Sequence, residues 1–409
     1  DMKELLENTP GMAERLVVEI TETAEIEQED EAVRMIELLR EHKIPVCLDD
    51  FGAGAAAFLA MTLLGACTTG AYLWQATTGH LQVLAASRDI SEVVALPDTN
   101  DKLRRQLEYV QRIREYSIKS LSLPENKSYT AYAELNRPYV VWNVIAAPVD
   151  SLDLKTWCFP FTGCISYKGF YRETDAIALG NQLRTEGLDV AVMGVPAYST
   201  LGFTPDPVLS TFINYPVGEL ARLIFHELAH QVIYIPDDTM FNESFATAVE
   251  ELGVQAWLAQ TGNEDLKVQY ETFDQRRVAF RAMLAKAQAD LKTLYASRGD
   301  LPNDDILMAK NQRFDALRQE YELLKKSWGG WSGYDRFMAE DLNNAKLGVS
   351  GLYTFYVPAF KELFERCGAR YPVFYEAVER LGEKPLEQRE AILDNLAAGQ
   401  PIDGFTGCS

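Results

Sequence analysis

The run from Ala221 to His230 reads ARLIFHELAH. His226, Glu227 and His230 in it spell H-E-x-x-H. On a helix, positions i and i+4 share a face, so both imidazoles can address one zinc ion with Glu227 beside it. The chain has only four histidines, and this pair uses two of them. The chemistry such a pair supports is zinc-assisted hydrolysis, usually of a peptide bond, with the intervening glutamate as general base.

A catalytic zinc takes three protein ligands and keeps one position open. His42 and His80 belong to or border other segments and are poor third ligands. Downstream, Phe241 to Glu251 reads FNESFATAVEE and opens a second helical pattern. Pro236, Asp237 and Asp238 set a turn before it. Two helices joined by such a turn can pack antiparallel and bring Glu243 back to face the histidines. A developing oxyanion needs a further donor. Tyr353, Tyr356 and Tyr198 are candidates, with Tyr353 first because the pattern from Asn343 to Tyr356 is helical. Ordinary packing is the default for any single tyrosine among nineteen. Asn242 and Glu250 are in reach of holding a ligand's orientation; for Glu250 a solvated helix face is the stronger reading.

The two runs His226-Glu-Leu-Ala-His230 and Asn242-Glu-Ser-Phe-Ala246 resemble the paired motifs H-E-L-x-H and N-E-G-F-A of the gluzincin aminopeptidases. The resemblance implies His226, His230 and Glu243 as ligands to Zn2+. Twelve residues separate His230 from Glu243, a shorter spacer than in those enzymes, so the connecting loop is shorter. Three runs resemble a family of bacterial predicted aminopeptidases: Gly163 to Tyr171, Gly194 to Gly202, and Gly218 to Glu251. That resemblance covers nearly all of the chain after Cys67 and implies a peptide substrate. In zincins an edge strand before the metal helix pairs with the substrate backbone. By that likeness Gly194, Val195, Pro196, Ala197 and Tyr198 bind the peptide, a recognised mode of peptide capture.

These residues need a scaffold. From residue 68 onward the patterns predict an α+β fold, mostly helical and zincin-like, with a small mixed sheet beside the zinc helix. Tyr72 to Leu123 is helical in pattern. Strand-like runs follow at Tyr129 to Leu135, Tyr139 to Pro148, Cys164 to Tyr171 and Leu188 to Met193, with a helix from Thr174 to Glu186. After Gly218 the patterns are helical, including long stripes at Lys267 to Ser297, Asp304 to Lys326 and Met338 to Cys367. Most of those stripes are core.

Residues 1–54 read as a separate β-α-β piece, with strands at Leu16 to Glu22 and from Ile44 onward. They resemble part of an EAL-type cyclic-di-GMP phosphodiesterase barrel. The match makes Glu19, Asp49 and Asp50 former metal ligands. The family's signature strand and later ligands are missing, and two strands cannot close an eight-stranded barrel. An inactive, truncated piece is expected; a nucleotide-binding protein of that descent is the alternative. Residues 55–67 continue an apolar run, Phe51 to Ala66, that suits a signal peptide. Leu64-Gly-Ala-Cys67 resembles a bacterial lipoprotein signal, although Asp49 and Asp50 stand where a basic region is usual. The expected location is the envelope or periplasm, with membrane contact only through a lipid on Cys67. If the apolar run is no signal, the location is cytoplasmic.

A net charge of −21 speaks against a nucleic-acid partner, whose phosphates select basic surfaces. Six cysteines are too few for a disulfide scaffold. Cys158 and Cys164 could close a small loop in an oxidising compartment or stay as two buried thiols. Besides hydrolysis, a noncatalytic zinc-binding envelope protein fits the same ligands.

Overall fold

The computed structural model describes residues 18–21, 46–49, 68–159, 163–297, 303–339, 342–350, 355–401 and 408. The chain divides into two compact units, Asp1–Gln82 and Val83–Ser409. In the first, β1 (Val18–Thr21) and β2 (Val46–Asp49) pair in parallel, with Glu19 opposite Cys47 and Thr21 opposite Asp49. This is the strand pair expected from the sequence. Asp50, the helix expected between the strands, and the apolar run through Cys67 lie outside the described residues. Helix α1 (Thr68–Ala85) crosses the division between the units.

The second unit continues through β3 (Ser87–Asp89), α2 (Ile90–Ala95), α3 (Asp101–Lys119) and β4 (Ala131–Ala133). Next come β5 (Val141–Pro148), β6 (Trp157–Phe159), β7 (Gly163–Ile165), β8 (Lys168–Phe170), α4 (Glu173–Thr185), β9 (Leu188–Val195) and β10 (Val208–Leu209). The rest is helical: α5 (Val217–His230), α6 (Thr239–Thr261), α7 (Glu264–Ala296), α8 (Asn303–Ser327), α9 (Asp335–Ala339), α10 (Asn344–Ser350), α11 (Val357–Arg366), α12 (Tyr371–Gly382) and α13 (Leu386–Ala397). The fold is α+β and mostly helical, as expected.

The sheets are small. β8, β5 and β9 form an antiparallel three-stranded sheet, with Trp142 opposite both Gly194 and Phe170. Helices α4 and α10 both pack on β5, and Val144, Ile145, Ala146 and Ala147 are all buried. A strand covered on both faces reads as a continuous apolar run, which is how VWNVIAAP is written. Among the described residues no strand pairs with the outer edge of β9.

Two helical patterns are broken. In 72–123, β3 intervenes, and Asp89 caps α2 by accepting from the Ser91 amide at 2.8 Å. The stripe from Met338 to Cys367 is three helices. Asn344 prevents continuity at one break: its amide donates to Asp189 Oδ2 at 2.9 Å, and its side chain donates to the Pro148 and Ser151 carbonyls. Those bonds tie the start of α10 to the sheet instead of to a preceding turn.

α5 carries the centre of the core. Leu220, Ala221, Ile224, Phe225, Leu228 and Ala229 are fully buried, a wide apolar stripe at helical spacing. α6 packs against it. Gly253 permits the close approach, because a Cβ there would lie 2.7 Å from Leu121 and 3.0 Å from Phe225. Behind α6, Phe241 and Phe245 meet Phe360 of α11, and Phe245 also meets Phe374 and Tyr375 of α12. No helix among the described residues is long and apolar enough to cross a membrane.

Candidate metal centre

The end of α5 and the start of α6 carry the candidate ligands. α5 stops at His230, and residues 231–238 turn the chain. Asp238 then caps α6, its side chain accepting from the Phe241 amide at 3.0 Å and pairing with buried Arg389 at 2.6 Å. Asn242 fastens the same turn: its side-chain oxygen accepts from the Ile235 amide at 2.8 Å, and its nitrogen donates to the Ile235 carbonyl at 2.7 Å. Asn242 therefore holds the connector and not, as the sequence suggested, a metal ligand.

The result is a triangle. Nε2 of His226 and Nε2 of His230 are 3.2 Å apart. The Glu243 carboxylate lies 3.3 Å from the first and 3.7 Å from the second. All three ligand atoms fall within 4.8 Å of one another. Tetrahedral coordination at zinc–nitrogen bonds of about 2.0–2.1 Å puts neighbouring ligand atoms roughly 3.3–3.4 Å apart. The histidine–histidine edge and the approach of Glu243 Oε2 to His226 fall close to that spacing, while His230 meets the other oxygen, Oε1, at 3.7 Å.

Electrostatics point the same way. Nδ1 of His226 is 2.9 Å from Glu250 Oε2. A proton held on Nδ1 by that carboxylate leaves Nε2 facing the triangle, where it offers a lone pair once its own proton has left. The other Glu250 oxygen pairs with Arg222 at 2.5 Å. Burial would raise the Glu250 carboxyl, but Arg222 and His226 hold it down to about 2. Burial would lower His226, yet Glu250 and Glu243 outweigh it and lift the imidazole to about 10. Burial wins at His230 and takes it down to about 4. A site where two carboxylates hold a proton this firmly on one imidazole is built for positive charge. Two imidazoles, a carboxylate and a buried outer carboxylate suit a zinc ion.

Glu250 is thus no residue on a solvated helix face. It lies seven positions after Glu243, two turns along α6 on the same side. That spacing was the available signal, and the surrounding charges obscured it. Glu227 follows His226 directly. Burial raises its carboxyl to about 7, with His226 opposing. Tyr234 packs its ring on His230, centroids 6.4 Å apart, and nothing in its spacing marked it.

The other candidates divide. Gly194 and Val195 close β9, opposite Trp142 and Val141. Pro196 accepts a hydrogen bond from Thr211 at 2.6 Å. Ala197 is buried in the core, and Tyr198 packs edge-on against Tyr171. The loop that follows is tied to the end of α5: Asp206 accepts from the Thr200 amide at 3.1 Å and from Gln231, next to His230, at 3.2 Å. Tyr356 is a buried core residue whose amide donates to Ser244. Tyr353 lies outside the described residues. Cys158 and Cys164 form a disulfide across the β6–β7 pair, and Cys367 bonds to Cys408.

The model of a protein family described as "Putative aminopeptidase" matches residues 71–393. The match covers more than half of the chain, and the chain belongs to that family. No curated protein and no solved structure matches it.

Proposed function

We propose that this member of an aminopeptidase family is a zinc-dependent peptide hydrolase that removes residues from peptide N-termini. One observation supports it most: the Nε2 atoms of His226 and His230 and the carboxylate of Glu243 lie within 4.8 Å of one another, with the half-buried Glu227 next to His226 in the chain. In this reading the three side chains hold the metal. Zinc bound there would supply an activated water and a polarised scissile carbonyl.

Glu227 is the general base. A carboxyl lifted to about 7 by burial exchanges protons readily near neutrality, the best range for such a group. It accepts a proton from the attacking water and later delivers one to the leaving amine. Glu250 fixes the His226 ring and its tautomer. Gly194 and Val195 lie on a strand whose outer edge no described strand occupies, and a peptide added there would be aligned by main-chain hydrogen bonds. Two disulfides suit the oxidising envelope compartment expected from the lipoprotein-like run at Cys67.

The test is metal analysis of the purified protein with aminoacyl and internally quenched peptide substrates, with and without chelator. Zinc near one equivalent, chelator-sensitive release of N-terminal residues and loss of turnover in Glu227→Gln are expected. A metal-loaded protein with no activity on either substrate class would make it a noncatalytic zinc-binding protein. A Glu227→Gln variant at the wild-type rate would overturn the mechanism.

A further inference from the structure

The outer edge of β9 is open at one end and closed at the other. Opposite Val190 in the ladder, the Ala146 carbonyl accepts from the Lys155 amide at 2.8 Å, on the side away from β9. Ala146 and Val190 therefore face each other without mutual hydrogen bonds, and Val190 points its own amide and carbonyl outward. Alternation turns Val192 and Gly194 outward as well. At Val190 the edge is taken: its carbonyl accepts from Asn343 Nδ2 at 3.0 Å and from Arg184 Nη2 at 3.4 Å. Among the described residues nothing bonds the outward groups of Val192 and Gly194. β9 runs toward the candidate metal centre, because the loop beyond Val195 is bonded through Asp206 to Gln231, next to His230. The open stretch thus lies on the metal side of the stop.

The stop is positively charged. A cavity of about 370 Å³ is lined by Val190–Met193, Arg184 of α4 and Lys346 of α10. Asn343 Oδ1 accepts from the Lys346 amide at 3.1 Å, which places Lys346 one turn beyond the plug. Lys346 is 1% exposed, its ammonium 4.8 Å from the centre of the Phe337 ring. Arg318 lines an adjoining cavity that shares Arg184 and Val190. Asp189, the acid beside them, is held by Lys310 at 2.5 Å and by the Asn344 amide at 2.9 Å. In a chain of net charge −21 this is a local reversal of sign, and cations in a low-dielectric cavity attract a carboxylate more strongly than they do in water.

We infer that this groove selects short peptides: the peptide main chain pairs with Val192 and Gly194, and a peptide carboxylate is held at the stop by Arg184 and Lys346. This rests on the peptide-hydrolase reading, in which the substrate N-terminus stays at the metal. The peptide then runs antiparallel to β9, its C-terminus toward Val190. Gly194 and Val190 are about 13 Å apart along the strand, so about three to five residues fill the groove. The carboxylate is the chain terminus or an acidic side chain at that position.

The test is the rate of cleavage of alanine peptides of increasing length by the full chain, each as the C-terminal acid and as the amide. A short amide ending in glutamate separates the two sources of carboxylate: it regains the rate only if a side chain serves. The expected kcat/KM is highest at about three to five residues and falls about 10-fold or more when the length doubles. Each short amide is slower than its acid by about 10- to 100-fold, the worth of hydrogen bonds to a charged group. Lys346→Met and the exposed Arg184→Gln each bring the acid-to-amide ratio toward one, and Arg184→Gln decides if Lys346→Met does not fold. Rates independent of length, or equal for acid and amide, would overturn the inference and leave the hydrolase reading standing. Calorimetric titration of the same peptides into Glu227→Gln reads the preference without turnover. Tighter binding of the acids with no cleavage by wild type would remove the hydrolase reading and keep the groove; equal binding of acid and amide would remove the groove.

Discussion

Replacing Glu250 by glutamine is the sharpest test of the metal centre, because it changes charge and almost nothing else. The side chain is 2% exposed and lies between His226 Nδ1 at 2.9 Å and Arg222 at 2.5 Å. Glutamine can still accept from one of these neighbours but not as an anion to both. Two losses follow. The charge that favours a cation in the triangle disappears, and the tautomer of His226 is held less firmly. Outer partners of this kind are worth about 10- to 100-fold in metal affinity, or roughly 1.4–2.7 kcal/mol. Among the described residues, the carboxylate left to Arg222 is Glu219, 3.7 Å away. A buried ion pair broken from one side costs about 3–5 kcal/mol, so the zinc-free variant should also unfold at lower denaturant. Zinc affinity is read by competition with a fluorescent chelator and stability by urea titration of the zinc-free protein. A Glu250→Gln protein that binds zinc as tightly as wild type would refute the assignment of His226 as a ligand backed by Glu250.

Zinc affinity should rise with pH. His226 is held protonated up to about 10, so binding near neutrality must expel that proton, and affinity should gain about tenfold per pH unit from about pH 7 to 9; a flat profile across that range would contradict it. The Cys367–Cys408 bond closes a separation of 41 residues, and for a loop of that size Cys408→Ser should cost about 4 kcal/mol on the chain-entropy account, read by thermal unfolding with and without reductant. Phe245 is fully buried among Phe360, Phe374 and Tyr375. Truncation to alanine should cost about 3–5 kcal/mol and weaken zinc binding as α6 shifts; equal zinc affinity would show that Glu243 is placed independently of that aromatic packing.

The helical character after residue 217, the strand expected at Leu188 to Met193, which runs on to Val195, and the His–Glu–His cluster were all legible in the sequence. Each is encoded locally, by apolar periodicity or by i, i+4 spacing, and Glu243 was found because its helix begins just after a turn. The misses have a common origin in long-range contacts. The helical period from Met338 to Cys367 could not show that Asn344 would give its amide and side chain to the sheet. Polarity alone does not place Asn242 and Glu250, and the fold assigns them by direction: Asn242 turns to the Ile235 backbone and Glu250 turns inward to His226.

The short spacer between His230 and Glu243 is consistent with a complete ligand set for a geometric reason. His230 is the last residue of α5, and Glu243 is four residues into α6, about 6 Å along its axis. Both candidate ligands stand beside the connector, so the connector has only to reverse the chain. Asp238 and Asn242 do this with a cap, a buried ion pair to Arg389 and two bonds to Ile235. A longer connector would leave through the same two helix ends and present the same three ligand atoms. The quantity to preserve is therefore the seating of α6 on α5, where Gly253 admits Phe225 and Leu121. Side chains at that contact should govern metal affinity more than loop length does.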